Sequence, residues 1–169
     1  MMSMHDEKLY KKALNFSLRL LLIREYSISS MYRKIISKDF PKEVCDLVVQ
    51  QLIAWKYLDD AKFAENFVMF RKQKGIGRKR LYFELLQKGI ESSLAEDILY
   101  KNFCQDDEEK LLHKFAIKKI AILQKRYSCE EIRPRLFNYL VARGYSASNI
   151  GNWINTNLSV ILDNTTNKL

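Results

Sequence analysis

Apolar residues recur along this chain three and four positions apart, the spacing of a buried helix face, and no stretch alternates as a strand does. The first such run covers about Leu9 to Arg24, with Leu9, Ala13, Leu14, Leu18, Leu21 and Leu22 on one broad face. Tyr26-Ser27 interrupts it, and Ser27 suits an N-cap because its hydroxyl can accept from the open N–H groups of a helix start. Met31, Ile35 and Ile36 mark a second helix that stops near Lys38-Asp39-Phe40. Pro41 opens a third, where its missing N–H costs nothing, and Val44, Leu47, Val48, Leu52 and Trp55 form its apolar side.

The next segment carries Phe63, Phe67 and Phe70 at i, i+4 and i+7 behind Asp59-Asp60, two carboxylates suited to the positive end of a helix. Lys72 and Lys74 sit in its last turn and Gly75 supplies the stop. A fifth helix runs from near Gly77 to Gly89 and buries Leu81, Leu85 and Tyr82. Ser93 to Glu96 reads as a capping box, followed by Leu94, Ile98, Leu99 and Phe103 as the buried side. Asp106 to Glu109 begins a seventh helix, with Leu111, Leu112, Phe115, Ile117, Ile120, Ala121 and Leu123 as its apolar positions. Ser128 to Glu131 is a second capping box, its helix ends at Arg143-Gly144-Tyr145, and a ninth helix carries Ile150, Trp153, Ile154 and Leu158.

These elements repeat. Lys38-Asp39-Phe40, Lys88-Gly89-Ile90 and Arg143-Gly144-Tyr145 share one order: basic, turn, apolar. The period of about fifty residues is the length of one three-helix unit. The pattern predicts an all-α fold of tandem three-helix repeats, about nine helices, elongated. The expected boundaries are 9–56, 57–104 and 105–160, with flexible tails at 1–8 and 161–169. Two departures stand out. Asp39 replaces glycine in the first repeat, and the third repeat is one helical turn longer, with Pro134 in the excess and a kink expected there.

Composition adds a direction. The 169 residues are 47% hydrophobic, enough for packed cores, and the net charge of +9 favours polyanions: nucleic acid, an anionic surface or an acidic protein face. Cys45, Cys104 and Cys129 are scattered and odd in number, which argues for a reducing compartment and against a disulfide framework or zinc site. With only His5 and His113 available, no metal is expected. No run is apolar and long enough to span a bilayer, and the expected location is the cytoplasm.

From Arg71 to Arg80 the chain holds six basic residues and no acidic one: Arg71, Lys72, Lys74, Arg78, Lys79 and Arg80. They span a helix end, a glycine turn and a helix start, whose open N–H groups add to the attraction for phosphate or carboxylate. Gly75-Ile76-Gly77 is not a dinucleotide fingerprint, since no strand precedes it and the third glycine position is Arg80. No nucleophile elbow, Cys–His pairing or Walker lysine occurs, so the chain reads as a binding protein without cofactor, not an enzyme.

One ordered set of residues resembles a known signature: Asp59-Asp60, Phe63-Ala64, Arg71, the glycine-plus-basic turn at Gly77, and Glu84-Leu85-x-x-Lys88-Gly89-Ile90. It resembles the RecX family, bacterial regulators of the RecA recombinase, and the repeats extend the likeness from about Leu9 to Leu158. The resemblance implies three tandem three-helix repeats and a monomer that binds the RecA–DNA filament, inhibits RecA ATPase and strand exchange, and so regulates DNA repair, recombination and the SOS response. It implies weak contact with single- and double-stranded DNA. Asp59, Asp60, Phe63, Ala64, Gly77, Leu85 and Gly89 are then the structural signature, and Arg71, Lys72, Lys74, Arg78, Lys79, Arg80 and Lys88 the RecA or DNA contact. The charge alone supports two other readings: a nucleic-acid binder that acts without RecA, and a helical scaffold for an acidic partner.

Overall fold

The computed structural model describes residues 4–103 and 105–166. Cys104 and the outermost residues of both expected tails lie outside them. The described residues form nine α-helices and no strand: α1 Met4–Ile23, α2 Ile28–Ile36, α3 Lys42–Ala54, α4 Asp60–Gln73, α5 Arg78–Gln87, α6 Ser92–Asn102, α7 Gln105–Leu123, α8 Cys129–Ala142 and α9 Ala147–Thr166. Helix α1 starts five residues before Leu9, and α9 continues past residue 160, so helix extends into both segments expected as tails.

The helices condense into two compact units, Met1–Phe67 with Leu85–Ile98, and Val68–Glu84 with Leu99–Leu169. The division falls inside the middle repeat, between Phe67 and Val68 of α4 and between Glu84 and Leu85 of α5. In the first unit Ala13, Met31, Ile35, Val48, Leu52 and Leu58 form a core, with Leu9, Leu14, Leu18 and Leu21 packed against it from α1. In the second, Leu112, Ala116 and Ile120 of α7 meet Leu136 and Leu140 of α8 and Ile150 and Ile154 of α9. Each fully buried leucine or isoleucine contributes about 1.5–3 kcal/mol relative to exposure.

Seven positions expected on apolar faces are outside. Leu22 is 87% exposed, Phe70 58% and Trp55 49%, and Ile36, Leu47, Ile117 and Ala121 are also exposed. All but Leu47 and Ile117 lie in the last turn of a helix or just past it. Tyr82 is half-buried.

The caps follow local chemistry. Ser27 accepts from the Ser30 N–H, and Ser128 with Glu131 makes the predicted box. Helix α6 starts at Ser92 and the Ser93 hydroxyl donates to Glu91, so the box expected over Ser93 to Glu96 is displaced. Helix α8 runs through Pro134 without a break. The proline stands in the second turn on an exposed face, where only the bond to the Glu130 carbonyl is forfeited. At 14 residues against 10 in α5, α8 holds the extra turn of the third repeat.

Candidate functional site

The basic corner begins where α4 ends. Ile76 N–H donates to the Arg71 carbonyl at 3.2 Å and Gly75 takes φ +75°, a left-handed closure that satisfies the last carbonyls of the helix. A side chain at Gly75 would also overlap the Phe115 ring. Gly77 and Arg78 then turn the chain into α5.

Three of the six cations have carboxylate partners. Arg71 pairs with Glu84 through its Nε and Nη2 donors, one to each carboxylate oxygen, and Arg80 Nε donates to the same carboxylate at 2.9 Å. Burial pushes the Glu84 carboxyl up, but the bonds from Arg71 and Arg80 outweigh it and hold it below the usual carboxylate range. Lys72 reaches the Asp107 carboxylate at 2.9 Å and the Asn102 carbonyl, and lies over the Phe103 ring. Lys74, Arg78 and Lys79 are exposed, Lys74 over the Phe70 ring.

The helix start at Arg78 is not an open anion site, contrary to expectation. Gly77 N–H donates to the Arg143 carbonyl at 2.8 Å, and the Glu108 carboxylate takes the Arg78 N–H. Burial raises the Glu108 carboxyl, and the Arg78 N–H and charge oppose the shift. Arg143 and the Tyr145 hydroxyl donate back to the Gly75 carbonyl at 3.3 Å each. Burial pushes the Tyr145 phenol up, and the Glu108 charge adds to this. Arg80 Nη1 donates to the Ala142 carbonyl at 2.7 Å. The corner is therefore a joint: the start of α5 is seated on the end of α8.

The first unit contains a second joint of the same form, and Lys88 belongs to it. Ser27 Oγ donates to the Lys88 carbonyl at 2.6 Å, Ser30 Oγ to the same carbonyl at 3.4 Å, and Arg33 to the Gln87 carbonyl at 2.9 Å. Here the start of α2 is seated on the end of α5. Asp60, second of the aspartate pair, accepts the Ile28 N–H at 2.8 Å, as Glu108 accepts that of Arg78. Burial raises the Asp60 carboxyl; the Ile28 N–H lowers it, and the Asp59 charge raises it further. Asp59 caps α4 through the Lys62 N–H at 3.0 Å. Of the other signature residues, Phe63, Ala64, Gly77 and Leu85 are buried, and Gly89 takes φ +82° against Ser29.

Sequence reasoning missed Glu108, Arg143 and Tyr145 as parts of the corner. One signal is available: Arg143-Gly144-Tyr145 aligns with Lys88-Gly89-Ile90, whose carbonyls receive a helix start in the same way. Among the described residues no group of three or more His, Cys, Asp or Glu could hold a metal ion, and no helix is long and apolar enough to cross a membrane.

The model of the RecX second three-helix domain matches residues 59–99, the segment of the aspartate pair, the basic corner and Gly89. Regulatory protein RecX of Prosthecochloris aestuarii (strain DSM 271 / SK 413) is 33% identical over 141 residues, 83% of this chain and 89% of that protein. The RecX protein of Salmonella paratyphi C (strain RKS4594) is 30% identical over 151 residues, with 83% and 89% covered. Among solved structures, RecX from Lactobacillus salivarius superposes with a TM-score of 0.72 over 88% of this chain and 96% of that one. Its 21% identity speaks to fold alone. Identity of this order over most of both chains, on the same helical repeats, places the chain in the RecX family of regulatory proteins.

Proposed function

We propose that this protein is a cytoplasmic monomer that binds the RecA–DNA filament and inhibits RecA ATPase and strand exchange, acting by contact and not by catalysis. Membership in a family of regulatory proteins carries this reading. The contact is assigned to the exposed cations of the basic corner, Lys74, Arg78 and Lys79. Arg71, Lys72 and Arg80 hold the corner in shape, and Lys88 contributes its carbonyl to the other joint.

RecA ATPase on single-stranded DNA, titrated with substoichiometric amounts of this protein, tests the reading. Inhibition below one protein per RecA is expected, since a filament transmits a local block. Changing Lys74, Arg78 and Lys79 together to glutamate should relieve it by at least tenfold in concentration while the melting temperature stays put. Full inhibition by that variant would remove the corner from the contact. No inhibition by the wild type, with tight binding to bare DNA, would favour a nucleic-acid binder that acts without RecA.

A further inference from the structure

The net charge is not shared between the units. The first unit has twelve basic and twelve acidic side chains, the second seventeen and eight, so the second carries the whole +9. Part of that charge is matched within the unit: Arg71 and Arg80 by Glu84, Lys72 by Asp107, Arg135 by Glu131. A different part stands in a row on α7. Lys110, Lys114 and Lys118 follow at i, i+4 and i+8, all exposed. They are about 6 Å apart along the axis and lie opposite the buried side of Leu112, Ala116, Ile120 and Leu123. Lys125 extends the row just past the helix end, and the acidic residue in line with the row, Asp107 at the helix start, is engaged by Lys72 at 2.9 Å. Among the described residues none of the four has a carboxylate within ion-pair distance. Lys118 lies over the Phe115 ring.

A solvated lysine face is ordinary on an amphipathic helix, and α1 shows that case: Lys11 there is matched by Glu7 at 2.7 Å, in a unit of zero net charge. The α7 row differs in having no ion pair of its own among the described residues and in lying on the unit that holds all the excess. Like charges at i, i+4 repel, so the row costs helix stability that a partner would recover. Exposed Ile117 and Ile122 flank it, apolar ground beside the cations. A regular file of cations with apolar flanks suits a strand of phosphates whose bases are unstacked.

We propose that Lys110, Lys114 and Lys118 of α7 bind the sugar–phosphate backbone of single-stranded nucleic acid directly, at a site separate in residues from the basic corner. The assignment rests on the reading above for its class of partner and deepens it, placing a nucleic-acid contact on the third repeat.

The test compares two triple variants of the full chain that lose the same charge. One changes Lys110, Lys114 and Lys118 to glutamine, the other Lys8, Lys11 and Lys12 of α1. Glutamine keeps helix propensity, and equal circular dichroism and melting temperature establish that each variant folds. Binding of an oligothymidylate is titrated from low to high salt. Each phosphate contact on a single strand contributes about 0.7 to the slope of log affinity against log salt. The α7 variant should therefore be shallower by about 2 and the α1 variant unchanged. Equal loss in both variants, or loss in neither, overturns the assignment. So does an α7 variant that loses binding to anionic phospholipid vesicles and keeps its DNA slope, since the row would then be a membrane face. RecA ATPase is measured in parallel. A wild type that fails to inhibit RecA removes the reading above and leaves the α7 result intact. An α7 variant with an unchanged slope removes this assignment whether or not RecA is inhibited.

Discussion

The two joints do the same mechanical work with different chemistry. In each, the start of one repeat's second helix sits on the end of the next repeat's second helix. In each, a carboxylate from the first residues of a following helix takes the first N–H, Asp60 for Ile28 and Glu108 for Arg78. The acceptors are equivalent backbone carbonyls, Gln87 and Lys88 in one, Ala142 and Arg143 in the other. The donors differ. The first joint uses two serine hydroxyls and Arg33; the second uses the Gly77 N–H, Arg80, Arg143 and Tyr145. A left-handed turn aims its preceding carbonyls the same way in any repeat, so the acceptor is fixed by backbone shape while the donor can change. The second joint draws on cations for this task, and arginines that would otherwise read as ligand contacts are consumed in holding it.

The same comparison explains Asp39. It takes φ +58°, against +82° at Gly89 and +90° at Gly144, so left-handed backbone alone does not demand glycine. A Cβ at Gly89 would stand closer than 3.0 Å to Ser29 Cβ and Oγ, and one at Gly144 would meet the Arg80 backbone nitrogen and Cβ. Glycine is required where another helix start is seated on the turn. Residue 39 follows the second helix of the first repeat, and among the described residues no other helix start is hydrogen-bonded to its turn.

Gly144→Ala should have the largest effect, since backbone nitrogen cannot rotate aside: a loss of about 2–4 kcal/mol from overpacking and left-handed strain together, read by urea denaturation. Gly89→Ala should cost somewhat less, because its clash is with a serine side chain. Asp39→Gly should be near neutral. Equal losses at 39 and 144 would break the distinction between seated and unseated turns.

Glu84→Gln should cost about 1–3 kcal/mol at neutral pH by weakening charge-assisted bonds to Arg71 and Arg80. The folded carboxyl is held below its usual value, so its contribution is present above the unfolded value and lost as pH falls through the folded one. The gap between variant and wild type should therefore close in acid; a gap that stays constant there would mean the charge is not the source.

Ser27→Ala should cost less than Gly144→Ala or Glu84→Gln, about 1 kcal/mol, from the cap and one joint bond. No equivalent serine hydroxyl exists at Gly77, so the second joint offers no matching test, and a loss at Ser27 well above the cap value would measure the joint itself.

Much of this molecule was legible before any coordinates. The nine helices, the Ser27 and Ser128 caps, the equivalence of residues 39, 89 and 144, and the extra turn in the third repeat follow from residues within a few positions of one another. Caps and C-terminal turns are local interactions, set by side-chain and backbone chemistry inside one turn of chain. What only the tertiary structure decided involves partners far along the sequence. Arg71 to Arg80 reads as six equal cations, yet Glu84, Asp107 and the Ala142 carbonyl separate those that hold the corner from those that face out. Leu22 and Phe70 continue their apolar stripes but sit where no neighbour covers them. A stripe records which side of a helix faces inward; whether anything lies on that side at a given turn depends on where the next helix ends.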